Sequence, residues 1–135
     1  MSGTLAPGLT FTQRVTIDPA RTIDFMGEAA RVYATPEVVR DIEITCRNGV
    51  LSHLAPGQDT VGSRIELDHL GPSLLGAEVE VAARVAAVDG RSVAFEVSVR
   101  DGGEEVARGK HTRFIVDVEK MIGRLKAKAA KAAAS

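Results

Sequence analysis

Tryptophan is absent from this 135-residue chain, tyrosine occurs once and phenylalanine four times. So few rings leave little with which to stack on bases or sugars. Cysteine occurs once, at Cys46, which excludes an intramolecular disulfide and any zinc site built from several thiolates. An excess of one charge is missing too: 17 Lys and Arg stand against 18 Asp and Glu, a formal net charge of −1. That balance gives no support to non-specific nucleic-acid binding. No apolar run approaches the roughly 20 residues that span a bilayer, so no membrane partner is expected. Met1 to Thr10 carries neither a basic n-region nor an apolar h-region, and a cytoplasmic location is the expectation. HExxH, a Gly-rich phosphate loop and a GxSxG elbow are all lacking, and His53, His69 and His111 are too scattered for a metal motif. What is there, 44% hydrophobic and 26% charged residues, is the balance of one folded domain.

The chain is patterned with two periods. Residues 1–8 read as a flexible start, punctuated by Gly3, Pro7 and Gly8. From Leu9 to Ile17 apolar and polar residues alternate, with Leu9, Phe11, Val15 and Ile17 on one parity, which predicts a strand with one buried face. Asp18-Pro19 ends it, because proline cannot donate to a sheet ladder. Residues 22–33 fit a short helix or a covering loop. Thr35-Pro36-Glu37 then has the form of a helix start, with Thr35 as N-cap, Pro36 at the first helical position and a carboxylate in the first turn. Val38, Val39, Ile42, Cys46, Val50, Leu51 and Leu54 follow at three- and four-residue spacings, so a helix over about 36–54 is predicted, stopped by Pro56-Gly57.

Beyond Pro56 the period is two. Val61, Ser63, Ile65, Leu67 and His69 fall on one face of a strand. Val79, Val81, Ala83, Val85 and Ala87 share a face of the next, and Val93, Phe95, Val97 and Val99 line a third. A less regular fourth covers Glu105 to Val118. Asp89-Gly90 and Asp101-Gly102 between alternating runs are hairpin signals. The fold class is therefore α+β: an antiparallel sheet of about five strands wrapped around one long helix, the hot-dog layout, with a cystatin-like cone as the competing arrangement. The domain spans 9–119. A tail over 120–135, with Lys120, Arg124, Lys126, Lys128, Lys131 and six alanines, reads as a helix with either a solubilising or a phosphate-attracting role.

Three polar residues stand out against this pattern. Glu43 lies mid-helix between Ile42 and Ile44 at the edge of the apolar stripe. It is either a solvated flank or a partly desolvated acid with a raised pKa. Thr35 precedes it by eight residues, a little over two turns, so both border one groove along the helix. His69 ends a strand whose same-face neighbours are apolar and should point toward the helix; a core histidine is the bland alternative. Cys46, on the buried stripe, reads as a small hydrophobe.

Together these residues carry a resemblance. Val32-Tyr33-Ala34-Thr35, then Glu43 eight residues on and Cys46 three after that, is similar to the fluoroacetyl-CoA thioesterase family of hot-dog proteins. Gly62 with His69 seven residues later, then Gly71-Pro72 and Gly76, matches its next motif. Val88-Asp89-Gly90-Arg91, Asp101-Gly102 and Gly109-Lys110-His111-Thr112-Arg113 match its last hairpins. The resemblance covers roughly residues 9–120. It implies a catalytic triad of Thr35, Glu43 and His69, a backbone N–H at Gly62 facing the thioester oxygen, and Arg113 bordering the site. It also implies an acyl-CoA substrate, no cofactor, and a homodimer with sites near the interface. Two departures point away from fluoroacetyl specificity. The Thr22–Tyr33 segment, where the family's aromatic lid lies, is shorter and holds only Phe25 and Tyr33 as aromatics. Pro36 also replaces a glycine, fixing φ at the helix start. The alternatives are a non-catalytic hot-dog protein that binds an acyl-CoA, and a hot-dog hydratase, for which the sequence offers no Asp-to-His arrangement.

Overall fold

The computed structural model describes residues 4–134. Strand β1 (Thr10–Thr16) is followed by helix α1 (Thr35–Leu51), strands β2 (Gln58–His69), β3 (Glu78–Asp89), β4 (Ser92–Asp101) and β5 (Glu104–Asp117), and helix α2 (Val118–Ala134). The five strands form one antiparallel sheet in the order β1-β3-β4-β5-β2, which leaves β1 and β2 at its edges. Both Asp-Gly signals are hairpins. Gly90 and Gly102 sit at φ of 60° and 61°, a conformation side chains resist and a two-residue turn requires. Of the segment 1–8, residues 1–3 lie outside the described residues; Leu5 lies against the core and the Gly8 N–H bonds the Val85 carbonyl at 2.8 Å.

The inner face of the sheet meets α1. Val79, Val81, Ala83 and Val85 of β3 and Val93, Phe95, Val97 and Val99 of β4 are buried with Val38, Ile42, Cys46 and Val50 of the helix. Burying a side chain of this size contributes about 1.5–3 kcal/mol, so this layer is the main source of stability. Cys46 is fully buried and burial pushes its thiol up to about 12, the behaviour of a small hydrophobe. Residues 22–33 form a covering loop with a 3-10 turn at Glu28–Ala30, pinned by bridges between Thr22 and Tyr33 and between Val32 and Leu74.

Three local expectations are corrected. The N-cap of α1 is Ala34, in extended conformation and without a side-chain cap bond; Thr35 is already helical, so its hydroxyl is free for other work. The helix ends at Leu51 rather than Leu54, because Ser52 to Leu54 close into turns on Val50 and Leu51. Bulges interrupt two strands. In β2, Gly62 stands opposite Arg113 and Arg64 opposite Thr112, leaving Ser63 as the extra residue. Val61 therefore does not share a face with Ile65, Leu67 and His69. It pairs with Phe114 on the outer side, and both are exposed. In β3 the same effect at Ala86 turns Ala87 out to solvent. A bulge adds one residue and shifts parity by one, which a period-two reading runs straight through.

Candidate active site

The start of α1 and the end of β2 meet at one point. Thr35 Oγ1 lies 2.7 Å from His69 Nδ1, and both line an open cleft of about 310 Å3 with Leu70, Gly71 and Pro72. Burial lowers the His69 pKa, which favours the neutral ring that accepts a proton from a hydroxyl. His69 Nε2 is buried and makes no hydrogen bond among the described residues.

Behind His69 stands a group that sequence reasoning missed. The Tyr33 ring meets the His69 ring edge-on, centroids 6.5 Å apart. Its hydroxyl donates to Asp41 Oδ2 at 2.5 Å, and Arg21 donates to the same carboxylate through Nε at 2.9 Å and Nη2 at 3.1 Å. Asp41 is 1% exposed. Burial, then the bond to Asp41, raises the Tyr33 pKa far above its usual value, so the phenol keeps its proton and donates. A buried carboxylate is retained only when paired and hydrogen-bonded, and Asp41 is both. The signal was available: Asp41 falls between Val38 and Thr45 at three- and four-residue spacing, a charge on the buried stripe.

The second cluster lies further along α1. Glu43 Oε1 sits 3.4 Å from Arg113 Nη1, directly over Gly62, in space that a Cβ at residue 62 would occupy. Arg113 is 5% exposed. Its Nε donates to Thr60 Oγ1 at 2.7 Å, its Nη2 to the Thr60 carbonyl at 2.9 Å and its Nη1 to His111 Nε2 at 3.2 Å. The His111 tautomer follows from its partners. Nδ1 lies 2.7 Å from the Arg64 carbonyl, which can only accept, so Nδ1 carries the proton and Nε2 is bare toward Arg113. Burial lowers the His111 pKa and keeps the ring neutral. Thr60 and His111 thus hold the guanidinium that faces Glu43. Neither was singled out by pattern, since a threonine and a histidine on strand faces give no periodic signal.

The five residues expected at the site fall into two groups. Thr35 is joined to His69, and Glu43 to Gly62 and Arg113. Eight residues of helix separate Thr35 from Glu43, about 12 Å of rise, and among the described residues no hydrogen bond or ion pair joins Glu43 to Thr35 or His69. Also among the described residues, no group of three or more His, Cys, Asp or Glu is arranged to hold a metal ion.

A threonine–histidine pair at a cleft, with a carboxylate further along the same helix and an arginine of β5 facing it, is equipment for acyl transfer. The model of the family described as fluoroacetyl-CoA-specific thioesterase matches residues 17–119. The chain belongs to this family. It is therefore a thioesterase, a hydrolase. Over 128 residues it is 28% identical to the fluoroacetyl-CoA thioesterase of Streptantibioticus cattleyicolor, with 90% of this chain and 92% of that protein covered. A mutant of the fluoroacetyl-CoA-specific thioesterase, solved in complex with fluoroacetate and CoA, superposes with a TM-score of 0.80 at 29% identity, covering 87% of this chain and 99% of its own. A hypothetical protein of Thermus thermophilus, a thioesterase superfamily member, superposes at 0.87 with 25% identity over 96% of both chains. The thioesterase has the hot-dog fold, its sheet laid around α1. No helix of the described residues is long and apolar enough to cross a membrane.

Proposed function

We propose that this thioesterase hydrolyses an acyl-CoA with a small or medium acyl group to the free acid and CoA, using Thr35, His69 and Glu43. The observation that carries the reading is the 2.7 Å contact between the Thr35 hydroxyl and a half-buried His69 whose pKa burial lowers toward the neutral ring. In that contact His69 Nδ1 takes the hydroxyl proton as oxygen attacks the thioester carbon, from Thr35 itself or from a water that Thr35 aligns. The C–S bond then breaks, and the proton passes from His69 to the departing thiolate. Glu43, opposed by Arg113, either attacks the thioester in place of Thr35, giving a mixed anhydride that water then hydrolyses, or acts as base toward the water that attacks the thioester or the acyl-Thr35 ester. Backbone N–H groups near Gly62 stabilise the oxyanion, a contribution of about 3 kcal/mol per donor in well-studied hydrolases. These steps call on the protein's own groups and on no cofactor.

The reading includes a homodimer. Glu43 stands about 12 Å of helix from Thr35 within one chain, so a single site containing all three draws on two copies. β2 is a 12-residue strand at an open sheet edge, with Val61 and Ile65 exposed along it. An unpaired edge of that length pairs with another strand, and a two-fold axis pairs it with itself. The CoA held by the solved relative supports a CoA ester as substrate. The acyl group differs from fluoroacetyl: Phe25, in the loop corresponding to the lid, is 78% exposed and turned to solvent, and Pro36 stiffens the helix start.

The test is a panel of acyl-CoA thioesters assayed by thiol release on the parent, Thr35→Val and Glu43→Ala. Turnover of at least one ester, falling by about a hundredfold in each variant, is expected. Full activity in Thr35→Val, which keeps the shape and removes the hydroxyl, would sink the assignment of Thr35.

A further inference from the structure

Helix α2 has no buried residue along its 17 positions. A helix of that length is marginal in water by itself, so what it lies against matters. At 100° per residue, Lys120, Gly123, Arg124 and Ala127 share one side, and these four line a groove of about 650 Å3 over Phe114 and Arg91 of the same chain. Val118, Ile122, Leu125 and Ala129 follow at spacings of four, three and four and make up the opposite side. Val118, Ile122 and Leu125 are 38%, 45% and 56% exposed. This is the narrow apolar seam of a helix that meets another surface, and it points away from the body that carries it.

Charge decides what that surface is. α2 holds five Lys and Arg and one acid, a formal charge of +4. Taking those from the 17 basic and 18 acidic residues of the chain leaves 12 and 17, a charge of −5 on the remainder. Two such helices repel one another, whereas a helix and the body of a second copy attract. The body presents exposed apolar side chains in the two loops that flank the Thr35–His69 cleft: Phe25 and Met26 between Asp24 and a Glu28 paired with Arg31 at 2.9 Å, and Leu70, which lines the cleft, with Leu74 beyond an Asp68 opposite Arg108. The bridge between Val32 and Leu74 holds these two loops together.

The open edge brings seam and rim within reach. α2 starts at the Gln58 end of β2, where Gln58 stands opposite Asp117 and the Val118 N–H bonds the Gly57 carbonyl at 2.9 Å. The rim begins at the other end of the same strand, after His69. Antiparallel pairing of two β2 strands sets the first end of one copy beside the second end of the other.

We propose that α2 is an arm that lays its apolar seam on the exposed apolar rim of the Thr35–His69 cleft of a second, net-acidic body. Each cleft is then bordered by the other chain, and the lysines of the arm stand at the mouth through which a polyanionic CoA ester arrives. The inference rests on the thioesterase reading only in calling that cleft the site.

The experiment is disulfide trapping with full-length chains. Leu125→Cys and Phe25→Cys proteins, one of them tagged, are mixed and mildly oxidised; both positions are exposed, and the native Cys46 is buried. Thermal melts of each variant confirm folding. A disulfide-linked pair of tagged and untagged chains is expected, at least about tenfold above either protein alone and above Arg124→Cys, on the groove side, with Phe25→Cys. Adding Ile122→Asp to the Leu125→Cys chain should remove it. Equal self-trapping by Leu125→Cys would overturn the proposal in favour of arm against arm. So would a disulfide within single chains carrying both substitutions at high dilution, or no product from folded proteins. Turnover is not read, so a failure here leaves the thioesterase mechanism standing, and an inactive protein can still trap.

Discussion

Replacing Gly62 with alanine separates catalysis from stability at one methyl group. Gly62 has no positive φ, so alanine is conformationally acceptable there, and what it meets is the tip of Glu43. Oε1 occupies the place of the new Cβ and must withdraw by about 1 Å to reach van der Waals distance. That movement takes it away from Arg113 Nη1, now 3.4 Å off. Displacement of a reacting group by about 1 Å costs on the order of a hundredfold in rate, or about 2.7 kcal/mol of barrier. Stability should hardly change. A flexible carboxylate tip yields cheaply, and losing glycine's freedom in the unfolded chain returns about 0.4–1 kcal/mol. The assay is thiol release from the best acyl-CoA of the panel, beside urea unfolding of the same samples. The expected result is a rate down about a hundredfold with the unfolding midpoint within error of the parent. In a Glu43→Ala background the same substitution should cost nothing further, because the group it displaces is gone. A rate within about threefold of the parent, or an undiminished loss on top of Glu43→Ala, refutes the reasoning.

Three further outcomes are expected. His69 and His111 are both held below the usual 6.5 by burial, so the unfolded chain takes up protons first as pH falls; stability should decline below pH 6.5, and the acid limb of activity should lie there too. Asp59, lowered chiefly by its bond to Arg47, adds its loss only below 3.8, so an acid limb of activity above 6.5 would exclude His69 as its source. Asp41→Ala leaves Arg21 and the Tyr33 hydroxyl without their shared acceptor and should cost about 3–5 kcal/mol in urea unfolding, against about 1–2 kcal/mol for Tyr33→Phe, which keeps the Arg21 pair. Gly109→Ala drives a methyl into the Glu66 carbonyl across the β2–β5 pairing; backbone cannot swing aside as a carboxylate does, and a loss of at least about 2 kcal/mol is expected by thermal denaturation.

The alternation of Val79 to Val85 and Val93 to Val99, the two Asp-Gly turns and the stripe on α1 were legible because burial on one face is a periodic constraint. His69 was correctly expected to face the helix, although its strand was misread upstream. The extra residue at Ser63 moves Val61 to the outer face, and nothing in the identity of a serine announces a bulge. Thr35 was read as a cap because its residue type is a good one; the structure gives that position to Ala34 and turns the hydroxyl to His69 instead. Asp41 pairs with Arg21 20 residues before it, Thr60 with Arg113 53 residues after it, and His111 with the Arg64 carbonyl 47 residues before it. Such pairings depend on which strands become neighbours, which periodicity does not encode.

The bulge in β2 also bears on how this protein avoids sticking to unrelated strands. A regular edge strand offers an evenly spaced row of donors and acceptors that any extended peptide can continue, the starting point of cross-β stacking. Here the row is broken at residue 63, so a flat foreign strand falls out of step on passing it. One inserted serine thus works against continuation of the exposed edge by a regular strand.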